Sequence, residues 1–203
     1  MKIFAVGMNY AAHNKELHHT FEHQEPVIFM KGDAALKDGK PFFIPDFSSE
    51  VHYETELVIK ISRLGKHIAE PFAHRYYEEV TVGIDFTARD LQAQLRRRGL
   101  PWEISKAFDG AAVVGKFLPL ANVGDIRRLA FHLDVNGQTV QAGNTCDMIF
   151  SADEILSYVS RFFTLRMGDL IYTGTPAGVG AVHVGDRLQG YLGDNKLLDF
   201  YVR

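Results

Sequence analysis

Val51-His-Tyr-Glu-Thr-Glu-Leu-Val-Ile-Lys-Ile61 sets two carboxylates, Glu54 and Glu56, one residue apart at the head of an apolar run. Leu57, Val58, Ile59 and Ile61 are rich in the branched side chains that strands favour. On a strand, positions i and i+2 share a face, so the two glutamates point the same way with Cα atoms roughly 7 Å apart. Like charges at about 6 Å, in an effective dielectric near 20, repel by roughly 3 kcal/mol. A pair of this kind beside a core has two readings: a cation lies between the carboxylates, or the glutamate-bearing face is simply wet.

Upstream, residues 2–7 read as a strand ending at Gly7, followed by Asn9 and a short helical stretch from about Ala11 to Leu17. His13 and Glu16 are three apart and become neighbours on a helix. A histidine oriented by a carboxylate can act as a general base; the plain alternative is a surface pair on a helix that also carries His18, His19 and His23. Pro26-Val-Ile-Phe-Met-Lys31 reads as a buried strand ending in a base, and residues 32–45 as a loop. Downstream, Pro71 to about Val80 reads as a helix with proline in its first turn. Thr81-Val-Gly-Ile-Asp-Phe86 reads as a strand whose Asp85 needs a partner, because an unpaired buried charge is costly. Thr87 is placed to cap a helix over 88–98, with Asp90 at its third position and Gly99 as its stop. Lys106, between Ile104 and Ala107-Phe108, is either partly buried, with a depressed pKa suited to acid/base work or anion binding, or a snorkelling surface lysine.

The remaining chain gives a strand over 129–135, a hairpin at Asn136-Gly137 and a capping box at Ser151-Ala-Asp-Glu154. The box opens an amphipathic helix with Ile155, Tyr158, Val159 and Phe162 on one stripe. Asp169–Thr173 reads as a strand entering Gly174-Thr-Pro-Ala-Gly-Val-Gly180, and residues 188–202 as strands around the turn at 193–195. The glycine-rich run lacks the Gly-Lys-Ser/Thr ending of a phosphate loop and the third glycine of a dinucleotide fingerprint. It could offer N–H groups to a carboxylate, or be only a tight turn. An all-oxygen set of Glu54, Glu56 and Asp85 would suit a hard ion such as Mg²⁺ or Mn²⁺ rather than zinc. A 2-keto acid could chelate that ion through its carboxylate and keto oxygens, with the metal as Lewis acid.

The 203 residues are 46% apolar and 23% charged, with a net charge of −3. This is the profile of an ordinary globular protein with one domain over 1–203, and it argues against a nucleic-acid face. The Arg96-Arg97-Arg98 triplet is expected at a helix end, complementing the dipole. No apolar run reaches membrane-spanning length, and the N-terminus is too poor in apolar residues for a signal peptide. Cys146 stands alone, which suits a reducing cytoplasm, and is expected to be a packed thiol.

The chain resembles the fumarylacetoacetate hydrolase family over nearly its whole length. The resemblance is carried by Gly7-Met-Asn-Tyr10 with His13 and Glu16, Glu54-Thr-Glu56, Asp85-Phe-Thr-Ala-Arg-Asp90, Lys106-Ala-Phe-Asp109 and Thr173-Gly-Thr-Pro-Ala-Gly-Val-Gly180. Thr87-Ala-Arg-Asp-Leu-Gln92 and Leu100-Pro-Trp102 point to its short acylpyruvate hydrolase / oxaloacetate decarboxylase branch. The resemblance implies an α+β, mainly β fold, a mixed β-sandwich roll with peripheral helices, usually a homodimer. It implies Mg²⁺ or Mn²⁺ on Glu54, Glu56 and Asp85. His13 and Glu16 would activate water from a lid over about 10–25, which should be mobile without ligand, and Lys106 would stabilise a developing enolate. Asn9, Gln92, Gly174 and Thr175 are the implied substrate-binding residues. The implied reaction is C–C bond hydrolysis of acylpyruvates or decarboxylation of oxaloacetate. The branch commonly carries Arg where this chain has Met8. An apolar residue there is frequent among isomerases and hydratases of 2-hydroxy-dienoic or 2-oxo-enoic diacids, which form the alternative.

Overall fold

A computed structural model describes residues 1–16 and 25–203. Half of the lid segment expected over 10–25, residues 17–24 with His18, His19 and His23, lies outside the described residues. The strands are β1 (Ile3–Gly7), β2 (Val27–Met30), β3 (Leu36–Lys37), β4 (Val51–Tyr53), β5 (Thr55–Ile61), β6 (Tyr77–Asp85), β7 (Thr87–Ala88), β8 (Ala112–Val114) and β9 (Leu118–Pro119). They continue with β10 (Ala130–Val135), β11 (Gln138–Asn144), β12 (Leu170–Tyr172), β13 (Gly180–Ala181), β14 (Arg187–Leu192) and β15 (Asn195–Tyr201). The α-helices are α1 (Ala11–Glu16), α2 (Arg89–Arg97), α3 (Glu103–Lys106) and α4 (Ala152–Phe162). The fold is the expected α+β, mainly strands in curled sheets, with helices at the periphery. No helix among the described residues is long and apolar enough to cross a membrane.

The large sheet runs β2-β1-β12-β5-β6-β8-β3, with β9 also against β6; β1–β12 and β3–β8 are parallel and the other pairs antiparallel. A second sheet, β11-β10-β14-β15, packs across it: Leu133, Leu188, Leu198 and Phe200 meet Ile84, Phe86 and Val113 in one buried cluster. On the same face α4 covers Leu57, Ile59, Val80 and Val82 with Ile155, Leu156 and Val159, while the opposite face buries Val58 with Ile3, Ala5, Leu170 and Tyr172 in a separate cluster. With both faces of β5 covered, its sequence reads as a nearly unbroken apolar run rather than an alternating one.

Several expectations are corrected here. The segment 51–61 is two strands, broken at Glu54. β4 pairs with β7 and β13 in a small sheet, and β5 pairs with β6 and β12 in the large one. The helix expected over 71–80, with Pro71 in its first turn, is a shorter 3-10 helix that ends at Tyr76. A 3-10 turn over Glu70–Tyr76 gives way to β6 at Tyr77, because pairing of Tyr77 with Ile61 and burial of Val80, Val82 and Ile84 outweigh the local helix signal. Leu36–Lys37, inside the expected loop, joins the large sheet as β3.

Thr87 does not cap α2. It is buried in β7 opposite His52, and α2 begins at Arg89 without a side-chain cap. Asp90 instead accepts hydrogen bonds from Ser48, Ser49 and the Leu91 N–H, tying α2 to the preceding loop. The capping box of Ser151 and Glu154 is present as expected, but Phe162 is exposed, and the buried stripe is Ala152, Ile155, Leu156 and Val159. The Asn136-Gly137 hairpin joins β10 to β11 with φ of 54° and 79°, the positive pair a type I′ turn requires. Cys146 is exposed rather than packed.

Candidate active site

The break between β4 and β5 builds the centre of the site. Glu54 lies between the sheets, and its carbonyl accepts the Asp85 N–H at 2.8 Å. One step on, Glu56 pairs across β5–β6 with Gly83, and Asp85 ends β6. The three carboxylates therefore converge, each buried, with ligand oxygens within 4.8 Å of one another. Sequence alone could not bring Asp85 to the glutamates; the antiparallel register does.

Cationic side chains answer this charge unequally. Lys106 Nζ donates to Glu54 Oε2 at 2.7 Å and to Asp85 Oδ2 at 2.8 Å. Arg89 Nη2 donates to Glu54 Oε1, and Lys31 Nζ to Asp85 Oδ1 and the Phe86 carbonyl. Glu56 receives only the Gly174 N–H, at 2.6 Å, and no salt-bridging cation reaches it among the described residues. Burial, then Asp85, pushes the Glu56 carboxyl well above the ordinary range. Burial opposes ionisation of Glu54 too, but Lys106, Arg89 and His13 pull its carboxyl below the ordinary range. An all-oxygen set with one carboxylate lacking a cation fits a hard divalent ion.

Lys106 is buried, but its pKa is not depressed as a desolvated lysine's would be. Burial lowers it, and Asp85 with Glu54 more than compensates, so it is raised and the ammonium persists. Lys31, wholly enclosed, is lowered by burial despite Asp85. His13 is buried on α1 with Nδ1 3.3 Å from Glu16 Oε2. Its pKa is lowered, first by burial, against the pull of Glu54 and Glu16. Glu16 also accepts the Gly178 N–H at 3.1 and 3.2 Å, so α1 is pinned to the glycine-rich turn.

That turn holds carboxylates, but the protein's own. Gly174 N–H meets Glu56, and at φ 103° a Cβ there would stand 2.7 Å from Asn9 Cβ. Asn9 is committed to backbone: Nδ2 donates to Phe150 and Thr173 carbonyls, and Oδ1 accepts the Phe150 N–H. Neither lines the cleft, so both act as supports of it. Thr175 and Gln92 do line it. Gln92 Oε1 accepts from Arg89 Nη1 at 2.6 Å. Thr175 Oγ1 donates to the Thr55 carbonyl and accepts from Gln141 Nε2.

Gln141 is a residue the sequence reading missed. Fully buried on β11, it accepts the Thr55 N–H and donates to Thr175 and the Pro176 carbonyl, fastening the second sheet to both halves of the site. Lys31 and Arg89 were also missed as site residues. The only signals were a lysine closing an apolar strand and an arginine three residues before Gln92. The cleft is lined by His13, Glu54, Glu56, Arg89, Gln92, Arg96, Lys106 and Thr175, with Met8, Phe29 and Trp102 adding apolar surface.

Residues 2–198 match the family model described as fumarylacetoacetate (FAA) hydrolase, C-terminal. The chain belongs to this family. As a fumarylacetoacetate hydrolase family member it is 41% identical over 188 residues to the mitochondrial oxaloacetate tautomerase of Rattus norvegicus, covering 92% of this chain and 85% of the relative. It is 39% identical over 189 residues to the oxaloacetate tautomerase YcgM of Escherichia coli, covering 92% and 86%. The fumarylpyruvate hydrolase of Pseudomonas aeruginosa, solved in complex with Mn²⁺ and pyruvate, superposes with a TM-score of 0.92 at 39% identity, covering 100% of this chain and 89% of that one.

Because Lys31 and Asp85 are buried together, removing the cation leaves an under-compensated charge. Lys31→Met is expected to cost about 3 kcal/mol of stability, read from urea unfolding in the presence of chelator. An unchanged midpoint would show that Lys106 alone suffices for Asp85.

Proposed function

We propose that this chain is a divalent-metal-dependent enzyme that forms the enolate of a 2-keto acid, and that its reaction is keto–enol tautomerisation of oxaloacetate. The observation that carries this is one cleft holding a buried histidine with a lowered pKa, an ammonium with a raised pKa and a compact carboxylate triad. The names of the curated relatives support it. Mg²⁺ or Mn²⁺ on Glu54, Glu56 and Asp85 would supply Lewis acidity at the keto oxygen.

The chain's own groups do the rest. With Nδ1–H directed at Glu16, neutral His13 carries its lone pair on Nε2. That nitrogen takes the proton from C3 of the keto acid. The C3–H electron pair becomes the C2–C3 double bond, and the carbonyl π pair moves onto oxygen. The Lys106 ammonium stabilises the charge where it develops, and proton delivery to that oxygen completes the enol. The reverse reaction uses the same groups, and no atom is gained or lost.

A second reading, C–C bond hydrolysis of acylpyruvates or decarboxylation of oxaloacetate, draws on the same enolate. The His13–Glu16 pair favours it, since a base so oriented can deprotonate water, and the fumarylpyruvate hydrolase neighbour supports it. A homodimer is proposed with either reading. Phe47, Leu91, Ile104 and Phe108 line an apolar groove beside α3, with Phe47 and Ile104 exposed, and a second copy would cover it. The lone Cys146 suits a reducing cytoplasm as the place of action.

The deciding assay follows loss of enol oxaloacetate and, in parallel, pyruvate release from acetylpyruvate, with Mg²⁺ or Mn²⁺ and with chelator. Metal-dependent enol loss without pyruvate supports the tautomerase; metal-dependent pyruvate release moves the assignment to the hydrolase. Glu56→Gln is expected to weaken Mn²⁺ binding in calorimetry by more than the roughly 10–100-fold that outer contacts contribute. Unchanged turnover in chelator would remove the metal from the reaction.

Since the lowered pKa keeps His13 neutral through the ordinary histidine range, activity should hold down past about pH 6.5 and decline only below it. His13→Gln should cut kcat by about 10²–10⁴. A decline that begins above 6.5, and that His13→Gln leaves in place, would assign the base elsewhere. Ile104→Glu should shift sedimentation equilibrium towards monomer; an unshifted dimer would place the interface on another face.

A further inference from the structure

We propose that Gln141 is a positioning residue for the metal site: by fixing the peptide between Glu54 and Glu56 it sets the spacing of the two carboxylates, and with it the preference for a small divalent ion over a large one. This rests on the reading of Glu54, Glu56 and Asp85 as a divalent-metal site. Gln141 does not line the cleft, and its side chain bonds to none of the three carboxylates. It acts through Thr55, the single residue between the two glutamates.

Thr55 lies opposite Ile84 of β6, and its neighbour Glu54 accepts the Asp85 N–H through its carbonyl. The alternation of an antiparallel ladder then turns the N–H and C=O of Thr55 away from β6. On that outer side β12 pairs with β5 only over Val58–Lys60, so Thr55 lies beyond its end. Two side chains stand in for the missing strand. Thr55 N–H donates to Gln141 Oε1 at 2.9 Å, and Thr175 Oγ1 donates to the Thr55 carbonyl at 2.8 Å. Gln141 Nε2 closes the ring, donating to Thr175 Oγ1 and to the Pro176 carbonyl, each at 2.9 Å.

The direction of every bond in this ring is settled. One end of the Gln141 amide meets a backbone N–H and the other a backbone carbonyl, so its oxygen and nitrogen cannot exchange places. Thr175 Oγ1 receives the amide N–H, so its own hydrogen goes to Thr55. The same turn gives the Gly174 N–H to Glu56 Oε2 at 2.6 Å. Gln141 thus holds both the backbone that carries the two glutamates and the turn that holds the Glu56 carboxylate.

The fold is shaped for this contact. Gln141 is the one fully buried residue of β11, a place where an apolar side chain is the usual occupant. Glycines let the turn press against the strand: a Cβ on Gly143 would stand 2.9 Å from Pro176 Cγ, and one on Gly178, at φ 100°, would stand 2.4 Å from the Val140 carbonyl oxygen. Hard ions differ in what they tolerate. Mg²⁺ needs nearly ideal placement of oxygens at roughly 2.0–2.1 Å, whereas Ca²⁺ accepts irregular sets at roughly 2.3–2.6 Å. A peptide clamped on both sides between two ligands favours the first.

The test titrates wild type, Gln141→Met, Thr175→Val, Thr175→Ser and the Gln141→Met/Thr175→Val double variant with Mg²⁺ and with Ca²⁺ in a calorimeter, with urea midpoints measured in chelator. Gln141→Met keeps the side chain's length without its amide and should weaken Mg²⁺ binding at least about tenfold. Ca²⁺ binding should stay within about threefold, since its flexible shell takes up displaced oxygens. Thr175→Ser keeps the hydroxyl and should retain the wild-type ratio of the two affinities. Because Gln141 and Thr175 belong to one ring, the double variant should lose little more than Gln141→Met alone. A lowered urea midpoint with the Mg²⁺/Ca²⁺ ratio unchanged would mean packing only and would overturn the proposal, as would additive losses. Should Gln141→Met fail to fold, Thr175→Val opens the ring from the other side and is judged by the same ratio. A wild type that binds neither ion fails the metal reading and this inference with it; a wild-type preference that the variants share fails this inference alone.

Discussion

Three carboxylates, Glu54, Glu56 and Asp85, are buried within 4.8 Å of one another, and the surrounding design answers the cost of that arrangement. Buried like charges must be neutralised by partners, by protonation or by a metal. The chain brings Lys31, Lys106 and Arg89 against two of the three, and leaves Glu56 with a backbone N–H alone. The imbalance leaves a triad that could hold a divalent cation beside the one carboxylate no described cation reaches.

The same constraint explains the layout of the secondary structure. A single continuous strand would have set the two glutamates side by side on one face. Breaking it at Glu54, where the chain passes from the small sheet into the large one, sets Glu54 in the gap between the two sheets and Glu56 in the large one, and lets the Glu54 carbonyl take the Asp85 N–H. Gln141 then fastens β11 to Thr55 and Thr175, and Asn9 fastens the segment after β1 to Phe150 and Thr173. Amide side chains thus tie together segments of the site that are far apart in sequence.

Much of this was legible beforehand. The two glutamates, the need of Asp85 for a partner, the His13–Glu16 spacing, the Asn136-Gly137 hairpin and the Ser151 capping box are all local signals, and the structure realises each one. The misreadings share a cause. At 71–80 and at Thr87, a helix signal was real but weaker than strand pairing with β5 and β4, which depends on residues distant in the chain. The pKa of Lys106 was misjudged for the same reason: burial is visible in its apolar neighbours, but its two carboxylate partners lie 52 and 21 residues away.

By itself, the sequence determined the family, the mainly β class and the residue types of an all-oxygen cation site, because these are written in short motifs and in periodicity. The tertiary structure alone decided that Asp85 meets the glutamates, that Lys31 and Arg89 join them, and that Gly174 and Asn9 support the site rather than line it. Those facts depend on strand register and on the direction of a helix face, and both are set by packing between segments far apart in the chain.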